Sequence, residues 1–478
     1  PASGSITRCG RLSYLPQESP LDSETTIDRA LRVDGYLAAF GRVAQGEAVP
    51  GDFDLLADRW DLQERIEMVF AKLGLGRIAL SRRMGSLSGG EAMRVRIAGL
   101  LLEEPDFLLL DEPTNNLDLT ARDFIYQLVS EWKRGLIVVS HDRKLISLVD
   151  QIAELSASGL RFYGGNFDFY REQRRNEREA AEAALASAEQ RLKEARLLAA
   201  RARERQQHRQ AAGRKSAFKA KVPPIVAGNR QSAAENTAGR IKGRHEVKID
   251  NAQSEVSAAR LNVPLERQIT IDLAGAKAHQ NKRMIELIDI NYRYPDAQRQ
   301  LWQEPLSLVV YGAERVWLKG PNGSGKSTLI DLICGRKQPV TGVVRLGTER
   351  LSLLDQGAGV LDASLSVLEN IKHYAPVRPE HELRILLGRF LFVQDDALKP
   401  VSVLSGGEKM RAALACLLGS DRSPELLIAD EPTNNLDLPS IDELVSVIGS
   451  YRGTLIVVSH DITFIEEIGI EREVELTV

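Results

Sequence analysis

Gly320-Pro321-Asn322-Gly323-Ser324-Gly325-Lys326-Ser327-Thr328 is the stretch that decides the fold. It satisfies G-x-x-x-x-G-K-[ST] and lies between the apolar run Val316 to Lys319 and a helical pattern starting near Ser327. A strand that turns through glycines into a helix gathers backbone N–H groups around one point, and the helix N-terminus adds positive potential there. A phosphate group suits such a turn. Lys326 is placed for the β- and γ-phosphates and Ser327 for Mg²⁺. Strand, helix and a downstream acidic pair, Asp430-Glu431, all stand where the motif needs them, which separates it from a chance match in a loop.

Working outward, the chain repeats itself. Leu87-Ser88-Gly89-Gly90-Glu91 recurs as Leu404-Ser405-Gly406-Gly407-Glu408, and the octet DEPTNNLD stands at Asp111–Asp118 and again at Asp430–Asp437. Val-Val-Ser-His-Asp ends at Asp142 and again at Asp461. Two homologous domains therefore lie in tandem. The runs Phe107 to Leu110 and Leu426 to Ala429 are short, apolar and β-prone, as are those ending at each Ser-His-Asp, and they read as buried parallel strands. Each Ser-Gly-Gly opens a helix, so the class is α/β.

Asp430, at a strand end, is a candidate Mg²⁺ ligand, and Glu431 a candidate general base toward the attacking water. Two adjacent acids could also form a capping turn, but the identical Pro-Thr-Asn-Asn-Leu-Asp after both pairs argues against that. His460, just past the last core strand, can reach a γ-phosphate, and its repetition as His141 favours function over a packing role. Gln356 can join metal and water to the helical part of the domain. Tyr294, upstream of the phosphate loop, is a candidate for adenine stacking; Tyr292 is the alternative, and plain core packing suits either.

The two copies differ at their start and in their middle. Pro1-Ala-Ser-Gly4 matches Pro339-Val-Thr-Gly342, so the portion of the second domain from Met284 to Pro339 has no counterpart. The chain is thus expected to be N-terminally truncated, without the first phosphate loop. The first copy is longer between Gln17 and Leu87, with the surplus falling around Gly35 to Trp60.

The 478 residues suffice for about three domains. The apolar runs fall far short of the ~18 residues that span a bilayer. Only Cys9, Cys334 and Cys416 are present, which excludes a disulfide framework and favours a reducing, cytoplasmic setting. Net charge is −3, yet Arg171 to His245 holds 19 Lys plus Arg against 8 Glu and no Asp, so the near-neutral total is a cancellation. Arg171 to Ala212 lacks Pro and Gly and favours a helix of roughly 60 Å. Leu185, Leu192 and Ala199, interleaved with Ala188, Ala195 and Ala202, face a return seam of Ile249, Ala252, Val256, Ala259 and Val263, as in an antiparallel helical hairpin. Its tip, Gly213 to Gly243, carries Arg214, Lys215, Lys219, Lys221, Arg230, Arg240 and Lys242, with Arg244 just beyond, against the single acid Glu235. A solvated coil is the bland reading; counterion release makes such a cluster favour nucleic acid.

LSGGE, the phosphate loop, DEPTNNLD and the Ser-His-Asp segment together resemble the ATP-binding cassette superfamily. Two cassettes in one chain, a long charged linker, no membrane segment and TN-x-LD after the Glu resemble its ABC-F subfamily, over essentially the whole length. The resemblance implies tandem ABC-type P-loop ATPase cassettes at 1–168, truncated, and 284–478, complete, joined by a helical-hairpin linker at 169–265 with its tip near 213–243. It implies a monomer whose cassettes close head to tail on ATP and Mg²⁺. The complete phosphate loop, Gly320 to Thr328, would work with Gln356, Asp430, Glu431 and His460 facing Ser88, Gly89 and Gly90, with Asp118 nearby. The second site would combine Gln17 and Asp111 as metal ligands, and Glu112 and His141, with Ser405, Gly406 and Gly407.

The resemblance further implies a ribosome partner, the linker reaching ribosomal RNA beside the peptidyl-tRNA, and a role in translation or in protection from antibiotics. Gly164 to Tyr170 looks like the family's lead-in to that linker. The surplus in the first cassette lies where some members carry a ribosome-contacting arm; a longer helical subdomain is the simpler reading. Two other classes fit less well. The energising subunit of a drug transporter has no use for a basic arm between cassettes. A DNA-maintenance ATPase usually places its coiled coil within one cassette and often carries a Cys-x-x-Cys hook.

Overall fold

The computed structural model describes residues 7, 9–17, 23–56, 59–76, 78–156, 159–219, 240, 243–260, 279–295 and 297–477. They form two compact units, residues 1–150 with 267–478, and residues 151–266. The boundary expected at residue 168 thus falls earlier, because the antiparallel hairpin Gln151–Ser156 and Gly159–Gly164 packs on the long helix that follows: Arg174 pairs with Glu154, and the Tyr163 and Tyr170 rings meet edge to face.

In the first unit, the second cassette is built on a five-stranded parallel sheet. Its order is Leu351–Leu354, Leu426–Asp430, Thr454–Val458, Arg315–Lys319, Arg472–Glu475. Helices cover both faces, so Leu426 to Ala429 and Thr454 to Val458 are buried throughout, which is why these strands read as unbroken apolar runs. One face packs against the helices Val367–Tyr374, Glu380–Arg389, Gly406–Leu418 and Leu438–Ser450. The other packs against the helix Lys326–Ile333 and a three-stranded antiparallel sheet ordered Leu306–Tyr311, Arg283–Asn291, Thr341–Leu346.

The first cassette repeats the core of this plan with Leu12–Leu15, Phe107–Asp111 and Gly135–Val139 as a parallel sheet. One face lies on a helical core that includes Leu108, Leu110, Val95 and Ile125. On the other, Leu12, Tyr14, Phe107, Ile137 and Val139 are exposed, whereas their counterparts Leu351, Leu353, Leu426, Ile456 and Val458 belong to the core around the helix Lys326–Ile333. The surplus around Gly35 to Trp60 forms the helices Asp34–Gln45 and Pro50–Leu56. Arg42 grips the buried Asp52 with two donors, and Tyr36, Ala39 and Leu56 enter the core, so this segment is a longer helical subdomain.

The second unit carries a helix Phe167–Lys219 of 53 residues. At 1.5 Å per residue it is roughly 80 Å long, longer than expected because it starts earlier and passes through Gly213. Residues 243–260 are helical and run antiparallel to it, joined by Arg260–Glu189, Arg191–Glu255 and Arg196–Gln253 at 3.0–3.1 Å. The expected seam holds the two together: Ala188, Ala199, Ala252 and Val256 are buried and Leu185, Leu192, Ala195, Ala202, Ile249 and Ala259 half-buried, while Val263 lies outside the described residues.

Candidate functional site

The phosphate loop leaves the strand Arg315–Lys319 and enters the helix Lys326–Ile333 through Gly325, whose φ of 90° is left-handed. A Cβ there would stand 2.7 Å from Leu301 and 3.0 Å from Trp302, so the position requires glycine twice over. Trp302, fully buried, donates its indole N–H to the Ser324 carbonyl at 2.9 Å and sets the loop from behind. Lys326 folds onto its own loop, donating to the carbonyls of Gly320 at 2.7 Å and Pro321 at 2.9 Å. Burial pulls its pKa down, while Glu431, Asp118 and Asp430 pull it up. The buried Ser324 Oγ has no partner among the described residues.

Ser327 Oγ stands 3.5 Å from Asp430 Oδ2. No group of three or more His, Cys, Asp or Glu able to hold a metal occurs among the described residues. A hydroxyl beside one carboxylate nevertheless fits Mg²⁺, which completes its shell with substrate phosphates and water rather than a protein cage. Gln356 is exposed in the turn after Leu351–Leu354. Tyr294 donates to or accepts from Thr328 Oγ1 at 2.6 Å, keeps an exposed ring beside the loop helix and meets Tyr292 edge to face; Lys337 lies over both rings. Tyr292 is instead half-buried against the core.

Glu431 follows Asp430 with φ of 47°, as Glu112 follows Asp111 with φ of 46°. A left-handed φ at a non-glycine costs about 1–3 kcal/mol, and in both copies the amide is held by the next strand, Glu431 N donating to Val458 O and Glu112 N to Val139 O at 2.8 Å. The turn aims the carboxylate at His460. Glu431 Oε1 lies 3.3 Å from His460 Nε2, and Oε2 accepts the His460 backbone N–H at 3.4 Å. Burial pushes the Glu431 carboxyl up to about 7, opposed by Arg122 and Lys326. Burial, with Lys326 and Arg122, holds the His460 imidazole down to about 4, so it is neutral near pH 7. Its Nε2 is buried without a hydrogen bond among the described residues.

The equivalent groups of the first cassette are more open. Tyr14 donates to Asp111 Oδ2 at 3.0 Å, and Glu112 lies 3.6 Å from His141, which is 47% exposed against 8% for His460. A cleft of about 290 Å³ brings Gln17, Asp111, Glu112 and His141 together with Thr433, Asn434, Asn435, Leu436 and Ile441 of the second cassette.

Ser88 and Ser405 each cap a helix, Gly89–Leu102 and Gly406–Leu418, through a reciprocal capping box with Glu91 and Glu408. Gly90 backs onto Ala121 and Gly407 onto Ser440; a Cβ on Gly407 would collide with the Ser440 hydroxyl. Gly406 faces the Asn435 carbonyl. The contacts that cross to the phosphate loop come one step further on. Asn322 donates its amide N–H to Asp118 Oδ2 at 3.2 Å and its side chain to the Asn116 carbonyl at 3.1 Å. Asp118 also caps the helix Leu119–Glu131. In the linker, Arg240 and Arg244 are exposed; the side chains of Arg214, Lys215, Lys219, Lys221, Arg230 and Lys242 lie outside the described residues.

Two arginines at the cassette interface escape motif reading. Arg143, 3% exposed, reaches from the first cassette to Glu467 at 2.5 Å and Asp442 at 2.6 Å in the second. Arg122 donates to His460 O at 3.3 Å and to Leu117 O at 3.1 Å, and pairs with Asp142 at 3.6 Å. The one sequence signal is a mismatch between the repeats, since Ile441 and Ile462 stand where the first copy has Arg122 and Arg143.

The family model described as ABC transporter matches residues 5–115 and 303–434. The ATP-binding protein YdiF of Bacillus subtilis is 32% identical over 96% of this chain and 68% of its own length. ABC transporter F family member 5 of Arabidopsis thaliana is 30% identical over 89% of this chain and 57% of its own. A solved structure of RNase-L Inhibitor aligns with 93% of the chain and 76% of its own at 21% identity and a TM-score of 0.49. The chain thus spans 57–68% of the length of these two curated relatives. No helix among the described residues is long and apolar enough to cross a membrane.

Proposed function

Because this chain belongs to the ABC-F family of ATP-binding cassette ATPases, we propose that it binds and hydrolyses ATP at a composite site formed by the second cassette's phosphate loop and the first cassette's Asn116–Asp118 segment. The Asn322–Asp118 hydrogen bond carries this reading, since it seats the loop of one cassette on the DEPTNNLD octet of the other. Lys326 is already held at the loop mouth and would move from its own carbonyls to the β- and γ-phosphates. Ser327 and Asp430, with Gln356 in the adjacent turn, would hold Mg²⁺, which supplies charge neutralisation across those phosphates.

Glu431 would take the proton of the attacking water. A carboxyl pushed up toward neutrality by burial is a stronger base than an exposed one, and the neutral His460 beside it leaves the charge on the carboxylate. Tyr294 offers its exposed ring to the adenine. The open cleft around Gln17, Asp111, Glu112 and His141 would serve a second nucleotide with Ser405, Gly406 and Gly407.

The partner we propose is the ribosome, reached by the basic linker. Its support is the segregated charge of Arg171 to His245, together with a helix of roughly 80 Å that residues 243–260 pair with over part of its length. Translation control and protection from antibiotics are both served by such an arm, in the cytoplasm. Co-sedimentation with ribosomes of the Glu431→Gln chain in ATP tests this. Enrichment in the ribosomal pellet that declines with added salt is expected; an unbound chain, or ATPase stimulated by branched DNA and not by ribosomes, refutes it.

A further inference from the structure

Arg122 sits in the first cassette, in the first turn of the helix Leu119–Glu131, and is 8% exposed. Its guanidinium spans the two Ser-His-Asp segments. On its own side it meets Asp142, which Tyr126 also engages at 2.6 Å and which caps the helix Arg143–Ile146. On the far side it donates to the carbonyl of His460, the residue whose amide and imidazole both face Glu431. A buried cation with two carbonyl acceptors and a carboxylate partner spread over two cassettes is fixed in place, because withdrawing any of them leaves a charge or a carbonyl unsatisfied.

We propose that Arg122 is a positioning residue for hydrolysis at the second cassette's phosphate loop, holding the His460 backbone, and with it the Glu431–His460 pair, only while the first cassette is docked. The proposal rests on the ATPase reading of that site. It is one-sided by construction. The corresponding position on the other cassette is Ile441, which lines the cleft with Glu112 and His141 and has no donor to offer the His141 carbonyl. Arg143 provides the control: it joins the cassettes through Asp442 and Glu467 and makes neither of the Arg122 contacts to His460 or Leu117.

The test measures steady-state phosphate release and equilibrium binding of a fluorescent ATP analogue on the full chain carrying Arg122→Ala, Arg122→Lys, Arg143→Ala or Lys326→Ala. Loss of one charge-assisted hydrogen bond in a buried site predicts a fall in kcat of roughly ten- to a hundredfold for Arg122→Ala. Nucleotide affinity should stay within about threefold. Added guanidinium, or the Lys variant should alanine impair folding, should recover part of kcat. An unchanged kcat, or affinity and kcat falling together as in Arg143→Ala, overturns the proposal. Hydrolysis that survives Lys326→Ala overturns the underlying reading as well, whatever Arg122→Ala does.

Discussion

Glu431→Gln separates the two properties that burial gives this carboxyl. The first is chemical. The side chain is 15% exposed, its oxygens face the amide and imidazole of His460, and glutamine keeps the shape while removing the basic oxygen. General-base assistance contributes roughly 10²–10⁴ in rate, so kcat should fall by that factor while ATP binding persists. The second is thermodynamic. Folding raises this carboxyl from 4.5 to about 7, mainly by burial, so the native state holds its proton longer than the unfolded chain does. The resulting penalty is absent below about pH 4.5, grows as pH rises, and is complete above about pH 7. A shift of that size corresponds to up to roughly 3 kcal/mol. The Gln variant should therefore unfold at a higher temperature than the parent at pH 8, with the gap closing toward pH 5. Scanning calorimetry across pH, with phosphate release on the same samples, checks both. A variant that hydrolyses ATP within twofold of the parent, or melts lower at pH 8, would refute the assignment.

Cys416 is fully buried, with its thiol pushed up to about 12. At pH 8 about one thiol in ten thousand is ionised, so alkylation should mark the exposed Cys9 quickly and Cys416 only in denaturant; rapid native labelling of Cys416 would contradict the packing. Val256→Glu places a charge in the seam of the helical pair, beside Ala252 and facing the long helix. It should cost about 2 kcal/mol or more, seen as faster proteolysis within 169–265 with the cassettes intact, and equal resistance would argue against the pairing.

Much of this molecule was legible because its chemistry is carried by contiguous motifs. The phosphate loop, the DEPTNNLD octet and the Ser-His-Asp segments each follow a short strand with an apolar centre, so position in sequence translates into position on one sheet edge. The linker seam was legible for the same reason, since Ala188, Ala199, Ala252 and Val256 keep helical spacing. The end of the long helix was not. A single glycine in a helix interior costs only about 1 kcal/mol, and Gly213 is outweighed by the helix formers on both sides. Trp302 behind the loop, Tyr14 on Asp111 and the interface arginines were also hidden, because each acts across a long sequence separation that no local pattern encodes. Of these, Arg122 and Arg143 left a trace, as charged residues matched by isoleucines in the second copy.

The claim on which the rest depends is that ATP sits at the second cassette's loop, held by Lys326 against the first cassette's Asp118. Equilibrium binding of a fluorescent ATP analogue with Mg²⁺, compared between the Glu431→Gln chain and the same chain carrying Lys326→Ala, measures it directly. Saturable binding in the first that weakens roughly a hundredfold or more in the second is the predicted result. Equal affinity in both chains would contradict the site.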